Sequence, residues 1–445
     1  MRQFKPSQPL LYILVLFTGL GLVQAFIQQL WPNVLPWLAQ LLLAGLLIIG
    51  LLALADLILS TQAPSLTITR QLPHNLALSN SVQVAVQVHH QLPLRQQIEL
   101  YDHAPNQFNV KGLPLALELQ PGKFSIGHYE VTPHQRGPAL FTQVEVRVRS
   151  QLGLWAMQFI YPVTTEVKVY PNFATVTGYN LLANSHHTSQ LGIRKQQRRG
   201  EGMDFHQLRE YRPGDPLRQV DWKATARRMS LISKEYQDER DQQILILLDS
   251  GKRMRIQDGQ LTHFDHALNS LLLLALVALK QGDVVGMMSF GQNNRWVPGI
   301  KGTGNINMLL NNFYDLYPDV QPTDYIAAAE DLMTRQRKRA LVVLVTNLRD
   351  EDTEDLIAAI KLLRRKHLVL LVNLQETAIQ QVSHQPISDF PAALRYLGAF
   401  QYLTERNATV DKLVAEGALI LDCTPQEMMA RLVNRYLDIK RSGRL

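Results

Sequence analysis

The chain has 445 residues, of which 46% are hydrophobic, 7% aromatic and 19% charged, and its formal net charge is +7. That balance excludes a disordered tail protein, and at roughly 150 residues per domain the length excludes a single small module. The one cysteine, Cys423, can make neither an intramolecular disulfide nor a cysteine-rich zinc site, so nothing in the chain calls for an oxidising compartment. Mean hydropathy is close to zero despite the low charge content, which points to apolar residues gathered in one place.

That place is residues 1–63. The runs Leu10 to Ile27 and Leu35 to Leu59 carry no charge until Asp56, and each can cross a hydrocarbon core of about 30 Å at 1.5 Å per residue. Trp31 and Pro32 between them suit an interfacial turn, so the pair reads as a transmembrane helical hairpin. Arg2 and Lys5 flank the first span and the connecting loop has no basic residue. The positive-inside rule therefore predicts both outer ends, and the bulk of the chain, in the cytoplasm. A cleaved signal after Val23-Gln24-Ala25 is the competing reading and leaves the bulk of the chain on the same side. Asp56, at the end of its span, is expected to be a solvated interfacial carboxylate.

Residues 64–175 alternate with period two in segments such as SVQVAVQVHH and TQVEVRVRS, broken by Pro and Gly. This predicts short antiparallel strands with one buried face, a small β-sandwich. The histidines at 89, 90, 103, 128 and 134 match no metal-ligand spacing.

Residues 176–242 form an arginine-rich link with both signs of charge. Pro213-Gly214 fits a type II turn, with Pro setting the first central position and Gly accepting positive φ at the second. Tyr211 and Trp222 are expected to act as buried anchors, and Arg209, Arg212 and Arg218 to pair with Glu210, Asp215, Asp221 or neighbouring acids. Interleaved acids weaken a phosphate track, so no nucleic-acid partner is expected.

From Gln243 to the C-terminus, buried strands alternate with helices: QILILLD, a helix capped by Thr262, DVVGMMSF, a short RWVPGI, a helix capped by Thr323, ALVVLVT, a helix from about Thr353, HLVLLVNL, and ALILDC between two final helices. The pattern predicts a mostly parallel, doubly wound sheet, so that the fold class is α/β with two membrane helices and a β-sandwich-like domain in front. In such sheets the site lies at the carboxyl ends of the strands, near the topological switch.

The stretch Gly200-Glu201-Gly202-Met203-Asp204-Phe205-His206, then Arg209-Glu210-Tyr211-Arg212-Pro213-Gly214-Asp215, then Arg218 through Asp221-Trp222-Lys223 to Arg227 closely resembles the signature of the bacterial family called domain of unknown function 58. Arg136-Gly137, Leu152-Gly153-Leu154 and Val169-Tyr170-Pro171 are similar to that family's layout as well. The resemblance implies a membrane-tethered protein whose residues 243–445 form a von Willebrand factor type A-like (Rossmann-like) domain, often encoded beside a MoxR-type AAA+ ATPase. It also implies where a metal-ion-dependent adhesion site would lie, built in such domains from Asp-x-Ser-x-Ser, a Thr and a second Asp.

Here Asp249 and Thr303 match that pattern, while Gly251 and Arg253 stand at the two serine positions and Asn347 at the second aspartate. Magnesium needs six oxygen ligands in near-octahedral geometry, and two hydroxyls and a carboxylate are missing. A guanidinium about 4 Å from the ion costs roughly 4 kcal/mol at an effective dielectric of 20, close to three powers of ten in affinity. No metal is therefore expected beyond weak Mg²⁺ binding through Asp249 and Thr303, with Arg253 or Lys252 replacing the cation by pairing with Asp249.

No phosphate-binding Gly-x-x-x-x-Gly-Lys precedes a helix, and no acid, base and nucleophile assemble from spacing. The sequence thus predicts a non-enzymatic adaptor at the inner membrane, partnered by the lipid bilayer and a protein client, and the resemblance implies a MoxR-type AAA+ ATPase as a further partner. A Mg²⁺-dependent adhesion module and an envelope-linked hydrolase using Cys423 are the alternatives.

Overall fold

The computed structural model describes residues 2–30, 36–60, 66–90, 95–150, 152–172, 204–212, 215, 217–237, 241–349, 351 and 353–444. The chain divides into two compact units, Met1–Val169 and Tyr170–Leu445.

The first unit opens with strand β1 (Arg2–Pro6), which the sequence reading did not anticipate, followed by helices α1 (Gln8–Leu30) and α2 (Pro36–Ser60). Both helices are long and apolar enough to cross a membrane. They pack closely where Phe17 meets Gly45; a Cβ there would fall 2.8 Å from the Phe17 ring, so the glycine lets the ring lie against the helix backbone. Nine further strands follow: β2 (Leu66–Gln71), β3 (Asn75–Ala77), β4 (Val82–His90), β5 (Gln96–Asp102), β6 (Phe108–Lys111), β7 (Leu115–Leu119), β8 (Ser125–Pro133), β9 (Gly137–Arg149) and β10 (Trp155–Tyr170). They form one sheet of order β1-β10-β9-β5-β7, with β3 added to β10, and a second of order β2-β4-β8-β6.

Alternation in β4 and β9 buries Val84, Val86 and Val88 from one sheet and Val144, Val146 and Val148 from the other, as expected for a sandwich. The core also holds an ion pair: Arg70 on β2 donates to Asp102 on β5 through Nε (2.7 Å) and Nη2 (2.6 Å), and Tyr129 on β8 donates to the same carboxylate at 2.6 Å. The Arg70 and Asp102 side chains are completely buried, and the guanidinium lies over the Phe141 ring.

Asp56 is 1% exposed rather than solvated. It accepts from the Ser150 hydroxyl and from the amides of Leu152 and Leu154 in the β9–β10 turn, because a carboxylate at the end of an apolar helix must find its donors in protein.

In the second unit, β11 (Asp204–Glu210) and β12 (Ile232–Gln237) pair antiparallel around helix α3 (Trp222–Arg228), so the signature link is a small folded element. Then come β13 (Gln243–Asp249), a two-residue hairpin pair β14 (Gln257–Asp258) and β15 (Leu261–Thr262), α4 (His263–Lys280), β16 (Val284–Phe290), β17 (Trp296–Lys301), α5 (Ile306–Phe313), α6 (Tyr325–Arg335), β18 (Leu341–Thr346), α7 (Thr353–Arg364), β19 (Leu368–Leu374), α8 (Thr377–His384), α9 (Phe390–Ala415), β20 (Leu419–Cys423) and α10 (Pro425–Arg441). The sheet order is β17-β16-β13-β18-β19-β20, parallel except for β17. One core gathers α4, α5 and α10 on one face and another gathers α6, α7 and the end of α9 on the other, the doubly wound arrangement.

Thr262 caps α4 in a full capping box with Asp265, as its sequence predicts. The helix after Thr323 is capped instead by Asp324, whose carboxylate accepts from Ala327 N, which leaves the Thr323 side chain free for another role. On α10, the Lys440 side chain is buried and donates to Asp283 at 2.6 and 2.7 Å, beside Tyr436, since a buried carboxylate demands a counter-charge.

Candidate functional site

Strand β13 starts the α/β sheet, with β16 on one side and β18 on the other, so the topological switch lies at the carboxyl ends of β13 and β18. Asp249 closes β13 there and is fully buried. Its Oδ2 accepts from the Thr346 hydroxyl at 2.6 Å and from the Tyr325 hydroxyl at 3.3 Å, and its Oδ1 from Gly251 N at 2.8 Å. Thr323 is a further hydroxyl donor. Burial pushes the carboxyl pKa up, against the pull of these donors. The same burial, with Asp249 beside it, raises the Tyr325 phenol.

The adjoining loops are fixed tightly. Ser250 donates its hydroxyl to Phe290 O at 2.8 Å, and Lys252 N donates to Gln321 O at 3.1 Å. A Cβ on Gly251 would lie 2.6 Å from Thr323 Cγ2 and 3.2 Å from Asp249 Oδ1, and one on Gly291, at φ +148°, would lie 2.5 Å from Ser250 Oγ. Both glycines are thus required by close approach.

The structure distributes the sequence-predicted site residues unequally. Asp249, Gly251 and Asn347 meet at the switch. Asn347 donates to Leu374 O at 3.0 Å and is buried, and its Oδ1 has no hydrogen-bond partner among the described residues. Arg253 is also buried, but its Nη2 reaches Glu351 at 3.4 Å, and the described bonds of Asp249 come from hydroxyls and an amide. Contrary to the expectation from sequence, the described donors to Asp249 include neither Arg253 nor Lys252, because hydroxyls and an amide already occupy its oxygens.

Thr303 is misplaced in the sequence reading. Because β17 runs antiparallel, with Lys301 opposite Val284, the Thr303–Asn305 turn lies at the amino ends of the parallel strands. Strand β16 is seven residues long, which sets Thr303 roughly 20 Å from Asp249. That far end holds a cavity of about 550 Å³ lined by Gln243, Lys301, Lys338 and Arg339. The hydroxyls at the site come from Thr323, expected only as a helix cap, from Thr346 at the end of β18 and from Tyr325, and the sequence reading made none of them a partner of Asp249. Helix start and cap signals around Asp324 could have released Thr323 for that role.

The donor set does not fit a magnesium ion. Both Asp249 oxygens already accept hydrogen bonds, the Thr323 methyl fills the space a serine would need at Gly251, and the second carboxylate is an amide. Hydroxyls and a backbone amide hold the buried carboxylate in place.

Cys423 is buried at the end of β20, and desolvation pushes its thiol up to about 12, so it is not a ready nucleophile. In the signature element, Arg209 binds Asp215 in a two-pronged pair at 2.8 and 2.9 Å, which holds that carboxyl below its usual range. Arg212 contributes its backbone amide to Asp215 at 3.0 Å. Asp221 caps α3 by accepting from Lys223 and Ala224 N and faces Lys234 at 3.5 Å. Pro213 and Gly214 lie outside the described residues. Trp222 is not a buried anchor: it is 67% exposed at the first turn of α3, because Asp221, not the indole, anchors the helix start. Leu217, Trp222, Met229 and Leu231 leave this short element with an unusual share of exposed apolar side chains.

Residues 207–389 match the family described as Protein of unknown function DUF58. That region of the chain is similar to DUF58. A relative in Bacillus subtilis (strain 168), named Uncharacterized protein YeaD, is 25% identical over 232 residues, which cover 50% of this chain and 54% of the relative. The chain thus spans about half the length of that curated relative. Among solved structures, an aerotolerance-related membrane protein from Bacteroides fragilis NCTC 9343 carrying multiple mutations to serines is 16% identical, with a TM-score of 0.29, and the match covers 44% of this chain and 98% of that one. Proximal thread matrix protein 1 from the mussel byssus is 11% identical, with a TM-score of 0.27, over 44% of this chain and 48% of its own.

Proposed function

We propose that this protein is a membrane-anchored binding adaptor with no catalytic activity of its own. In this reading α1 and α2 cross the bacterial inner membrane as a hairpin and both folded units lie in the cytoplasm. Strand β1 precedes α1 yet joins the sheet formed by strands that follow α2, which supports a hairpin whose outer ends emerge on one side. Lys5 on that side supports the cytoplasm.

The second unit acts as a von Willebrand factor type A-like domain. The observation that carries the reading is Asp249: a buried carboxylate at the switch point, ringed by Thr323, Tyr325 and Thr346, with the neighbouring Ser250 hydroxyl committed to a backbone carbonyl. Such a site can accept a ligand by rearranging hydroxyls, whereas it offers no activated nucleophile. The family resemblance supports a MoxR-type AAA+ ATPase as the energy-supplying partner, with this chain recognising a protein client in assembly or maturation of envelope-related complexes.

The test is retention of a coexpressed MoxR-type ATPase by the detergent-solubilised full chain, compared with Asp249→Ala and Trp222→Ala. Retention weakened by either substitution is expected, and it should survive a chelator, which separates this reading from Mg²⁺-dependent adhesion. A wild-type chain that retains no ATPase removes the adaptor reading.

A further inference from the structure

The β9–β10 turn is bonded into the ends of both apolar helices. Ser7, just before α1, donates its hydroxyl to Gly153 O at 2.6 Å and its amide to Leu154 O at 3.0 Å. From α2, Asp56 accepts from Ser150 Oγ at 2.5 Å, Leu152 N at 3.0 Å and Leu154 N at 3.3 Å, and Trp155 Nε1 donates to Ala53 O at 2.7 Å. The apolar stretch of α2 runs to Leu59. At 1.5 Å per residue Asp56 lies about 4–5 Å, and Ala53 about 9 Å, inside that end. A turn bonded to those atoms sits at the depth of the bilayer interface. At its tip, Leu152 has its amide fixed to Asp56 and its side chain 60% exposed.

Strand register adds charge beside this apolar tip. Lys5 on β1 and Arg149 on β9 both stand opposite Ala156 on the central strand β10. With strands about 4.8 Å apart, their backbones are about 10 Å from each other on the outward face. Both side chains are exposed, and neither has an ion pair among the described residues. Arg147, one row farther from the helices, is neutralised by Glu145 at 2.9 Å.

We propose that the β9–β10 turn is a membrane-contact surface in which Leu152 enters the edge of the bilayer while Lys5 and Arg149 together hold the headgroup of an anionic phospholipid. The surface is continuous with the helix ends, and the paired cations select lipid charge. It rests on the reading of α1 and α2 as membrane spans, and it makes the anchor and the β unit one membrane-oriented body rather than a domain on a free tether.

The full chain in nanodiscs of phosphatidylcholine, alone or mixed with phosphatidylglycerol, tests this with an environment-sensitive fluorophore on Leu152→Cys. Buried Cys423 remains unlabelled. Leu47→Cys, in the middle of α2, is the control. Lipids carrying a quencher on a shallow acyl carbon are expected to quench the Leu152 probe, more strongly when the phosphatidylglycerol carries it. The double variant Lys5→Glu/Arg149→Glu is expected to lower that anionic preference by about 5-fold or more. A water-exposed, unquenched Leu152 probe beside a quenched Leu47 probe overturns this proposal and leaves the anchor intact. An unquenched Leu47 probe overturns the anchor reading itself. Equal quenching by both lipids, unchanged in the double variant, overturns the headgroup site.

Discussion

Each unit of the molecule buries a carboxylate, and the two are satisfied in opposite ways. In the sandwich, Asp102 receives the fork of Arg70 and the hydroxyl of Tyr129, so its charge is matched by a rigid guanidinium. In the α/β sheet, Asp249 receives hydroxyls from Thr323, Tyr325 and Thr346 and one backbone amide. The first arrangement is a closed cross-link between two sheets and has nothing left to offer a ligand. The second is adjustable, since hydroxyls rotate and can donate or accept. Burial of a carboxylate therefore does not by itself mark a site; the mobility of its partners does.

The largest break in this comparison comes at Asp102. Asp102→Ala strands the Arg70 charge in the core, and we expect a loss of about 3–5 kcal/mol in unfolding stability. Urea unfolding of the detergent-solubilised chain measures it, and a loss below about 1 kcal/mol would mean that the pair is not the cross-link described.

His263 supplies a third case, a buried titratable group with neither cation nor hydroxyl. Neither ring nitrogen has a hydrogen-bond partner among the described residues, and desolvation, against an opposing pull from Asp258, lowers its pKa to about 4. The unfolded chain then binds a proton that the folded chain refuses between pH about 4 and about 6.5. Stability should rise across that window, by on the order of 3 kcal/mol, and flatten above it. His263→Phe should remove most of the rise in a thermal-unfolding series. An unchanged slope would assign the pH dependence to other groups.

At Asp249 the expected stability effect is smaller and its sign differs. Its folded pKa is raised, so ionisation costs stability as pH climbs above the ordinary carboxyl range. Asp249→Asn keeps an acceptor for Gly251 N and turns an amide toward hydroxyls that can reverse their bonds. Stability at neutral pH should stay within about 1 kcal/mol of the parent or rise, while retention of the ATPase should fall. A strongly destabilised variant would show that the hydroxyl ring is as rigid as the Arg70 fork.

How far the sequence reveals these contrasts depends on the range of the forces involved. The hydrophobic runs of β13, β18 and β19 and the cap of α4 are local, and they place Asp249 at a strand end in advance of any structure. Thr303 is misread because nothing in WVPGIK announces that β17 runs backwards, which is decided by its register against β16. Asp102 with Arg70, and Asp56 with the β9–β10 turn, join residues 32 and about 95 positions apart. No local pattern reports such pairs, because alternation specifies a face and not a cross-sheet partner. Strand β1 is invisible for the same reason: five residues ahead of an apolar helix become a strand only when β10 supplies the other half of the ladder.

The smallest stability effect and the sharpest functional one are expected at Trp222. It stands at the start of α3, where Asp221 holds the helix through Lys223 N and Ala224 N, so the indole contributes little to the local fold. With 67% of its surface exposed, Trp222→Ala should change unfolding stability by no more than about 0.5 kcal/mol. Asp221→Ala should cost about 1 kcal/mol through the lost cap. If the exposed apolar side chains of this element contact the partner, the tryptophan variant loses ATPase retention at unchanged stability, and the aspartate variant loses both together. Retention that follows stability alone in the two variants would reduce the signature element to a scaffold and return the whole of recognition to the face around Asp249.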